Sequence, residues 1–273
     1  MFLDANDNAV LDGGETGLAG VMLTLSGTDD QGHPVTTHVL TDADGTYAFI
    51  GLLPGTYTVT ETQPQGSTNS TGSSTVISGI MIASGSTTAD NNFAIQPLMI
   101  LDVRTADGGK TATVTNVGQV ITLKVYAILN DSAPDAQNVF VSAYASFMAK
   151  SLNGGAAQGD LSATVLAPYK AGGYANGTVQ DLDGDGGLDV GSNNSSSATG
   201  WFNARAGVPG VTGKEHYLGD LTFTVTSLQG SGETDINAYL RHYTLAYLWT
   251  VNGTPLHNYM LVTAGAPVVL TQA

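Results

Sequence analysis

Cysteine is absent from the 273 residues, so no disulfide holds this fold, and the chain suits any redox compartment equally. Basic residues are scarce: 8 Lys and Arg stand against 23 Asp and Glu, for a formal net charge of −15. Nucleic acid and anionic membrane surfaces both call for a basic face, so neither is an expected partner. The same imbalance favours cation binding and solubility outside the cell. No apolar run approaches the length of a membrane span, so no membrane insertion is expected. Met1-Phe2-Leu3 runs straight into Asp4 without a basic segment or an apolar core, and residues 270–273 carry no sorting signal. The chain therefore reads as a mature or excised piece, or as one secreted by information lying elsewhere.

Catalytic signatures are missing as well. The histidines at 33, 38, 216, 242 and 257 have no metal-spaced neighbours, and Glu215-His216 belongs to no His-Glu-x-x-His motif. Neither a Gly-x-Ser-x-Gly elbow nor a phosphate-cradling glycine loop occurs. A non-enzymatic protein is expected. Helical periodicity is almost absent.

What remains describes an all-β protein: 35 glycines, abundant Thr, Ser and Val, and short apolar runs bounded by turn residues. Its length accommodates two ordinary domains with real cores. Val21, Leu23 and Leu25 alternate with Met22, Thr24 and Ser26, a period of two with one buried face. Further strands are expected over 35–41, 46–50, Gly55–Glu61, Val76–Ile82 and 92–95. In the second part they are expected over 98–103, Val120–Leu129, 139–148, 218–226, 237–251 and 268–270.

One stretch carries a distinct chemistry. In Asp181-Leu-Asp-Gly-Asp-Gly-Gly-Leu-Asp-Val-Gly-Ser192, taking Asp181 as position 1 puts Asp183 at 3, Asp185 at 5, Gly187 at 7 and Asp189 at 9. That is the ligand spacing of a calcium loop. A hard cation takes roughly six to eight oxygens, glycine at position 6 permits the sharp turn, and position 7 contributes its backbone carbonyl. Without a cation these carboxylates repel one another. Ser192, at position 12, cannot bind with two oxygens as glutamate does. A water, Asn193, Asn194 or a distant carboxylate has to complete the shell.

The same arithmetic recurs at the start of the chain. Positions 1, 3, 5, 7, 9 and 12 fall on Asp4, Asn6, Asn8, the Val10 carbonyl, Asp12 and Glu15. Here the twelfth residue can bind bidentately, while position 6 is Ala9 instead of glycine.

Several ordered motifs in residues 1–96 carry a family resemblance. They are Phe2-Leu-Asp-Ala-Asn-Asp-Asn8, Asp12-Gly-Gly-Glu-Thr-Gly-Leu-Ala-Gly-Val21, Thr41-Asp-Ala-Asp-Gly-Thr-Tyr-Ala-Phe49, Leu53-Pro-Gly-Thr-Tyr-Thr-Val-Thr-Glu61 and Asn91-Asn-Phe93. This stretch resembles the SdrD B-like repeat domains of bacterial surface adhesins, relatives of the Cna B-type domains. The resemblance implies an immunoglobulin-like (prealbumin-like) β-sandwich, stabilised by calcium and serving as a stalk or adhesive module. It implies calcium ligation by Asp4, Asn6, Asn8, Asp12 and Glu15, with a second site at Asp42 and Asp44, joined by Asp29 or Asp30. Many Cna B-type domains hold a Lys–Asn crosslink; residues 1–96 contain no lysine, so none forms here. Residues 97–273, with Val117-Gly-Gln-Val-Ile-Thr-Leu-Lys-Val125 near their start, are similar to cohesin-like domains, which implies a nine-stranded jelly-roll sandwich; the calcium loop read from its spacing at 181–192 would be an insertion in it.

Tyr239, Tyr243, Tyr247 and Trp249 share parity along 237–251, as a platform for sugar rings or as cover for a sandwich face or a subunit interface. Asn-x-Ser/Thr sequons fall at 69, 130, 176, 193, 194 and 252. Together these features predict an extracellular, calcium-stabilised structural or adhesive protein of a cell surface. A binding module for a glycan or a surface protein is the alternative. A first strand beginning at Met1 is expected to leave an unpaired edge, which a second copy completes by strand addition to build an oligomer or filament.

Overall fold

The computed structural model describes residues 1–13, 15–64, 67–129, 138–143, 145–167, 169, 178–191, 211–212, 215–240, 247–251, 254–256 and 262–273. Among them every regular element is a strand, and no helix is long and apolar enough to cross a membrane. The chain divides into two compact units, Met1–Leu98 and Met99–Ala273.

The N-terminal unit contains β1 (Phe2–Leu3), β2 (Thr16–Gly17), β3 (Met22–Asp29), β4 (Pro34–Leu40), β5 (Gly55–Glu61), β6 (Thr68–Asn69), β7 (Val76–Ile82) and β8 (Ala94–Gln96). They form two sheets, ordered β2-β1-β8-β6 and β4-β3-β5-β7. The period-two pattern works as expected: Leu23 and Leu25 on β3, and Tyr57 and Val59 on β5, are buried. From the other sheet come Phe2, Leu3, Ala94 and Ile95, with Phe93 just before β8. A cavity of about 890 Å³ is lined by residues that include Phe2, Leu25, Tyr47, Tyr57, Val59 and Ile80.

Two expectations need correction here. Residues 46–50 form no strand. Side chains hold this segment instead: the Tyr47 hydroxyl donates to the Asn91 carbonyl at 2.6 Å, and Tyr47 meets Phe49 edge to face at 5.9 Å. The first strand, moreover, offers no open edge. β1 pairs antiparallel with β2 and parallel with β8, because the chain doubles back at residues 16–17 and covers the side that was expected to be free.

The C-terminal unit contains β9 (Met99–Thr105), β10 (Thr111–Val114), β11 (Val120–Leu129), β12 (Asn138–Ala143), β13 (Ala145–Leu152), β14 (Ala157–Val165), β15 (Thr178–Gln180) and β16 (Asp189–Gly191). It continues with β17 (Val211–Thr212), β18 (Glu215–Leu228), β19 (Glu233–Leu240), β20 (Tyr247–Val251), β21 (Thr254–Leu256), β22 (Val262–Ala264) and β23 (Val268–Gln272). A five-stranded sheet runs β14-β18-β11-β9-β22, and a six-stranded sheet runs β10-β23-β19-β13-β16-β15. The first contributes Leu123, Val125, Leu221, Phe223 and Leu161 to the core, and the second Phe147, Ile236, Val268 and Leu270. Thr234 of β19 ties the two together: its buried hydroxyl accepts from the Ala156 and Ala157 amides at 3.2 and 3.1 Å and donates to the Ala157 carbonyl at 2.8 Å. The remaining strands form a sheet ordered β17-β12-β20-β21. Residues 237–251, expected as one strand, are thus shared between β19 and β20, which belong to different sheets.

Candidate metal loops and their relatives

The first loop follows β1 directly, and Asp4 is only 1% exposed. Its carboxylate accepts from the Asn8 amide at 3.2 Å and from the Ala9 amide at 2.6 Å, which bends the loop around it. The Asn8 side-chain oxygen accepts from the Val10 amide at 2.7 Å. Asp12 Oδ2 accepts from the side-chain amides of Asn6 and Asn8, both at 2.8 Å. Those two bonds, Asn6 first, hold the Asp12 carboxyl below its ordinary pKa. Glu15 closes the loop with both oxygens: Oε1 accepts from the Ala5 amide at 2.8 Å and Oε2 from the Asp12 amide at 3.0 Å. Asp4, Asn6, Asn8, Asp12 and Glu15 are therefore drawn into one network, and Val10 lies within it.

Ala9 has φ 59°, the left-handed conformation that position 6 of such a loop demands and that glycine adopts without strain. Replacing Ala9 by Gly is expected to stabilise the folded loop by about 0.5–1 kcal/mol, read as a higher urea midpoint. A lower midpoint would show that the strain lies elsewhere.

Sequence reading passed over Asp7. Its carboxylate accepts from the Thr71 amide at 2.6 Å and the Thr71 hydroxyl at 2.8 Å, and these bonds depress its pKa. They clasp the loop to a segment 64 residues away. No local pattern announces such a partner.

The second loop leads into β16. Asp181 accepts from the Gly184 amide at 2.7 Å and the Gly186 amide at 3.1 Å. Asp183 accepts from the Asp185 amide at 3.3 Å, and Asp185 from the Gly187 amide at 2.7 Å. Gly186, at position 6, has φ 91°. Asp181, Asp183 and Asp189 each bring a carboxylate oxygen within 4.8 Å of the others, and among the described residues they are the only three-acid group so placed. Asp185 stands outside this trio, and Gly187 faces the Gly159 carbonyl of β14. Asp189 is 3% exposed. Burial, partly offset by the Leu182 and Ala149 amides and added to by Asp183 and Asp185, pushes its pKa up to about 6. Asp183 is raised too, by burial first and then by Asp185. Ser192, Asn193 and Asn194 lie outside the described residues.

At the expected third position, Asp44 accepts from the Thr46 amide at 3.0 Å and the Thr46 hydroxyl at 2.6 Å. Asp42 shapes the same turn through its backbone. Asp29 does not join them as a third acid. Its carboxylate caps the β3–β4 turn, accepting from the Gln31 and His33 amides at 3.0 and 2.8 Å.

The aromatic run is divided. Tyr239 stands half exposed on β19 with the Lys150 ammonium 5.4 Å from its ring centre, whereas Tyr247 and Trp249 belong to β20. Tyr243 lies outside the described residues. The run is thus shared between two sheets.

Residues 1–94 match the family described as the SdrD B-like domain, in agreement with the resemblance carried by the motifs of this stretch. The particular relatives follow suit. Serine-aspartate repeat-containing protein D of Staphylococcus aureus, in strains Newman and MW2, is 42% identical over 71 residues, which is 26% of this chain and 5% of that protein. Among solved structures, the full-length major pilin SpaD of Corynebacterium diphtheriae is 16% identical with a TM-score of 0.31, over 98% of this chain and 62% of that one. BcpA, the major pilin subunit of Bacillus cereus, is 14% identical with a TM-score of 0.30, over 95% of this chain and 66% of that one. Superpositions this loose say nothing specific about the present chain.

Proposed function

We propose that the chain is a non-enzymatic, calcium-stabilised structural module of an extracellular protein at a bacterial cell surface. The observation that carries this reading is the second loop, where Asp181, Asp183 and the buried Asp189 converge although the burial of Asp189 and repulsion between neighbouring carboxylates oppose it. The donor set suits a hard cation. The first loop offers carboxylate, side-chain amide and carbonyl oxygens, the second carboxylate and carbonyl oxygens, and neither offers a nitrogen or sulfur ligand. A bound Ca²⁺ would supply positive charge where the acids repel. Asp4, Asn6, Asn8, Val10, Asp12 and Glu15 would hold one ion. Asp181, Asp183, Asp185, Gly187 and Asp189 would hold another. The match of residues 1–94 to the SdrD B-like domain favours the surface setting.

Self-association by strand addition is the second part of the proposal. With β1 paired on both sides, the long strands left at sheet edges in the N-terminal unit are β4 and β7. Their exposed apolar residues include Leu40, Val76 and Met81. Sedimentation velocity and negative-stain microscopy in millimolar calcium, beside the same protein in excess EGTA, test both parts. Compact particles or filaments that expand or fall apart on chelation are expected. Identical behaviour in the two conditions would overturn the calcium reading, and monomers in both would overturn self-association.

A further inference from the structure

The second loop is held at two ends by two different sheets. On one side, β16 pairs with β13 in the six-stranded sheet, and Asp189 Oδ1 accepts from the Ala149 amide of β13 at 3.3 Å. On the other side lies β14, the outer strand of the five-stranded sheet. The Leu161 amide of β14 donates to the Leu188 carbonyl at 2.6 Å. Asp160 Oδ1 accepts from the Leu188 amide at 3.0 Å. The Gln158 side-chain amide donates to the Asp185 carbonyl. Contact is close enough that a Cβ on Gly187 would come 2.7 Å from the Gly159 carbonyl oxygen.

We propose that Asp160, with Gln158 beside it, is a positioning residue for this loop and couples ion capture to closure of the two sheets. The proposal rests on reading Asp181–Asp189 as an ion site. Asp160 fixes the amide of Leu188, the residue next to Asp189, so its carboxylate sets where the buried member of the trio stands. It reaches the ion only through Leu188. Outer-shell partners of this kind typically change metal affinity by about 10–100-fold when removed. An ion drawn to the trio pulls Asp189 and Leu188 into place, and with them the edge of β14. Nothing local in the sequence marks Asp160, which precedes Leu188 by 28 positions.

The test is a calcium titration of the full-length protein, followed by hydrogen–deuterium exchange of the peptides covering 157–165 and 181–191. In the wild type, protection of both peptides should rise together with a single midpoint. Asp160→Ala should shift that midpoint about tenfold or more to higher calcium. Asp160→Asn keeps an oxygen acceptor for the Leu188 amide and should restore it to within about threefold. If Asp160→Ala fails to fold, Gln158→Ala, which removes a single side-chain donor, should still shift the midpoint several-fold. A midpoint unmoved by these substitutions, with protection lowered equally at every calcium concentration, would show a merely structural role and overturn the proposal. Calcium-independent protection in the wild type would overturn the ion reading itself, before any substitution is made.

Discussion

Chelating calcium from the purified chain is expected to lower its thermal stability in two unequal steps. An ion that binds only the folded state adds about 2.7 kcal/mol when present at about a hundred times its dissociation constant. One kcal/mol moves the melting temperature by about 4–8 °C in a domain of 60–100 residues and by about 2–4 °C in one of 150–250 residues. The unit Met1–Leu98 should therefore lose about 10–20 °C, and the larger unit Met99–Ala273 about 5–10 °C. Scanning calorimetry in millimolar calcium and in EGTA reads both. Asp4→Ala should remove the calcium response of the first unit alone, and Asp189→Ala that of the second. Superimposable scans with and without calcium would sink the idea. Magnesium should substitute poorly, since it requires a tighter, near-octahedral oxygen shell and keeps its own waters.

Replacing Glu61 by Gln is expected to stabilise the protein increasingly as pH rises above about 4.5, with the full effect above about pH 7. Glu61 ends β5, is 5% exposed, and neither carboxylate oxygen has a hydrogen-bond partner. Desolvation, only partly offset by the Asn69 side-chain amide nearby, which stands outside hydrogen-bond geometry, and by the Met1 ammonium, raises its pKa from 4.5 to about 7. A carboxyl whose folded pKa lies above its unfolded value is tolerated while neutral. As pH rises from 4.5 to about 7, the unfolded chain ionises freely and the folded one does not, so stability falls across that window and then levels off. At about 1.4 kcal/mol per pH unit, the full penalty reaches about 3 kcal/mol. The difference between Glu61→Gln and wild type should be near zero at pH 4 and reach about 2–3 kcal/mol at pH 8, by denaturant unfolding. Asp7, Asp12, Asp29 and Asp44 have lowered pKa values and act in the opposite sense, destabilising on acidification. Taking the difference between variant and wild type removes their contribution. A difference that does not depend on pH would mean that the Glu61 carboxyl is solvated or paired.

Much of the architecture follows from local pattern alone. Short apolar runs bounded by turn residues mark Gly55–Glu61, Val76–Ile82 and Val120–Leu129 as strands with the bounds they have in the fold. In the first and last of these runs alternation separates buried residues from more exposed ones. Residues 46–50 show the limit. Their pattern is equally strand-like, yet the segment is anchored through the Tyr47 hydroxyl and the contact with Phe49, because a strand also requires a neighbour for its backbone. Alternation says which way side chains point and nothing about which strand lies alongside. That is why the double pairing of β1, and the separation of β19 from β20, were not legible.

The two loops divide in the same way. Sequence by itself determined the spacing of their oxygen-bearing side chains and the place of the sharp turn, because both lie within twelve residues; Ala9 and Gly186 take a left-handed conformation there. Only the tertiary structure decided which acids are buried and which strands clasp the loops. The burial of Asp189 depends on the sheet behind it, the hold on Asp7 comes from Thr71, and the seat of Leu188 is made by Asp160. These partners are separated by tens of residues and meet only when the sheets assemble: β1 and β6 share one sheet of the N-terminal unit, whereas β14 and β16 belong to the two large sheets of the C-terminal unit.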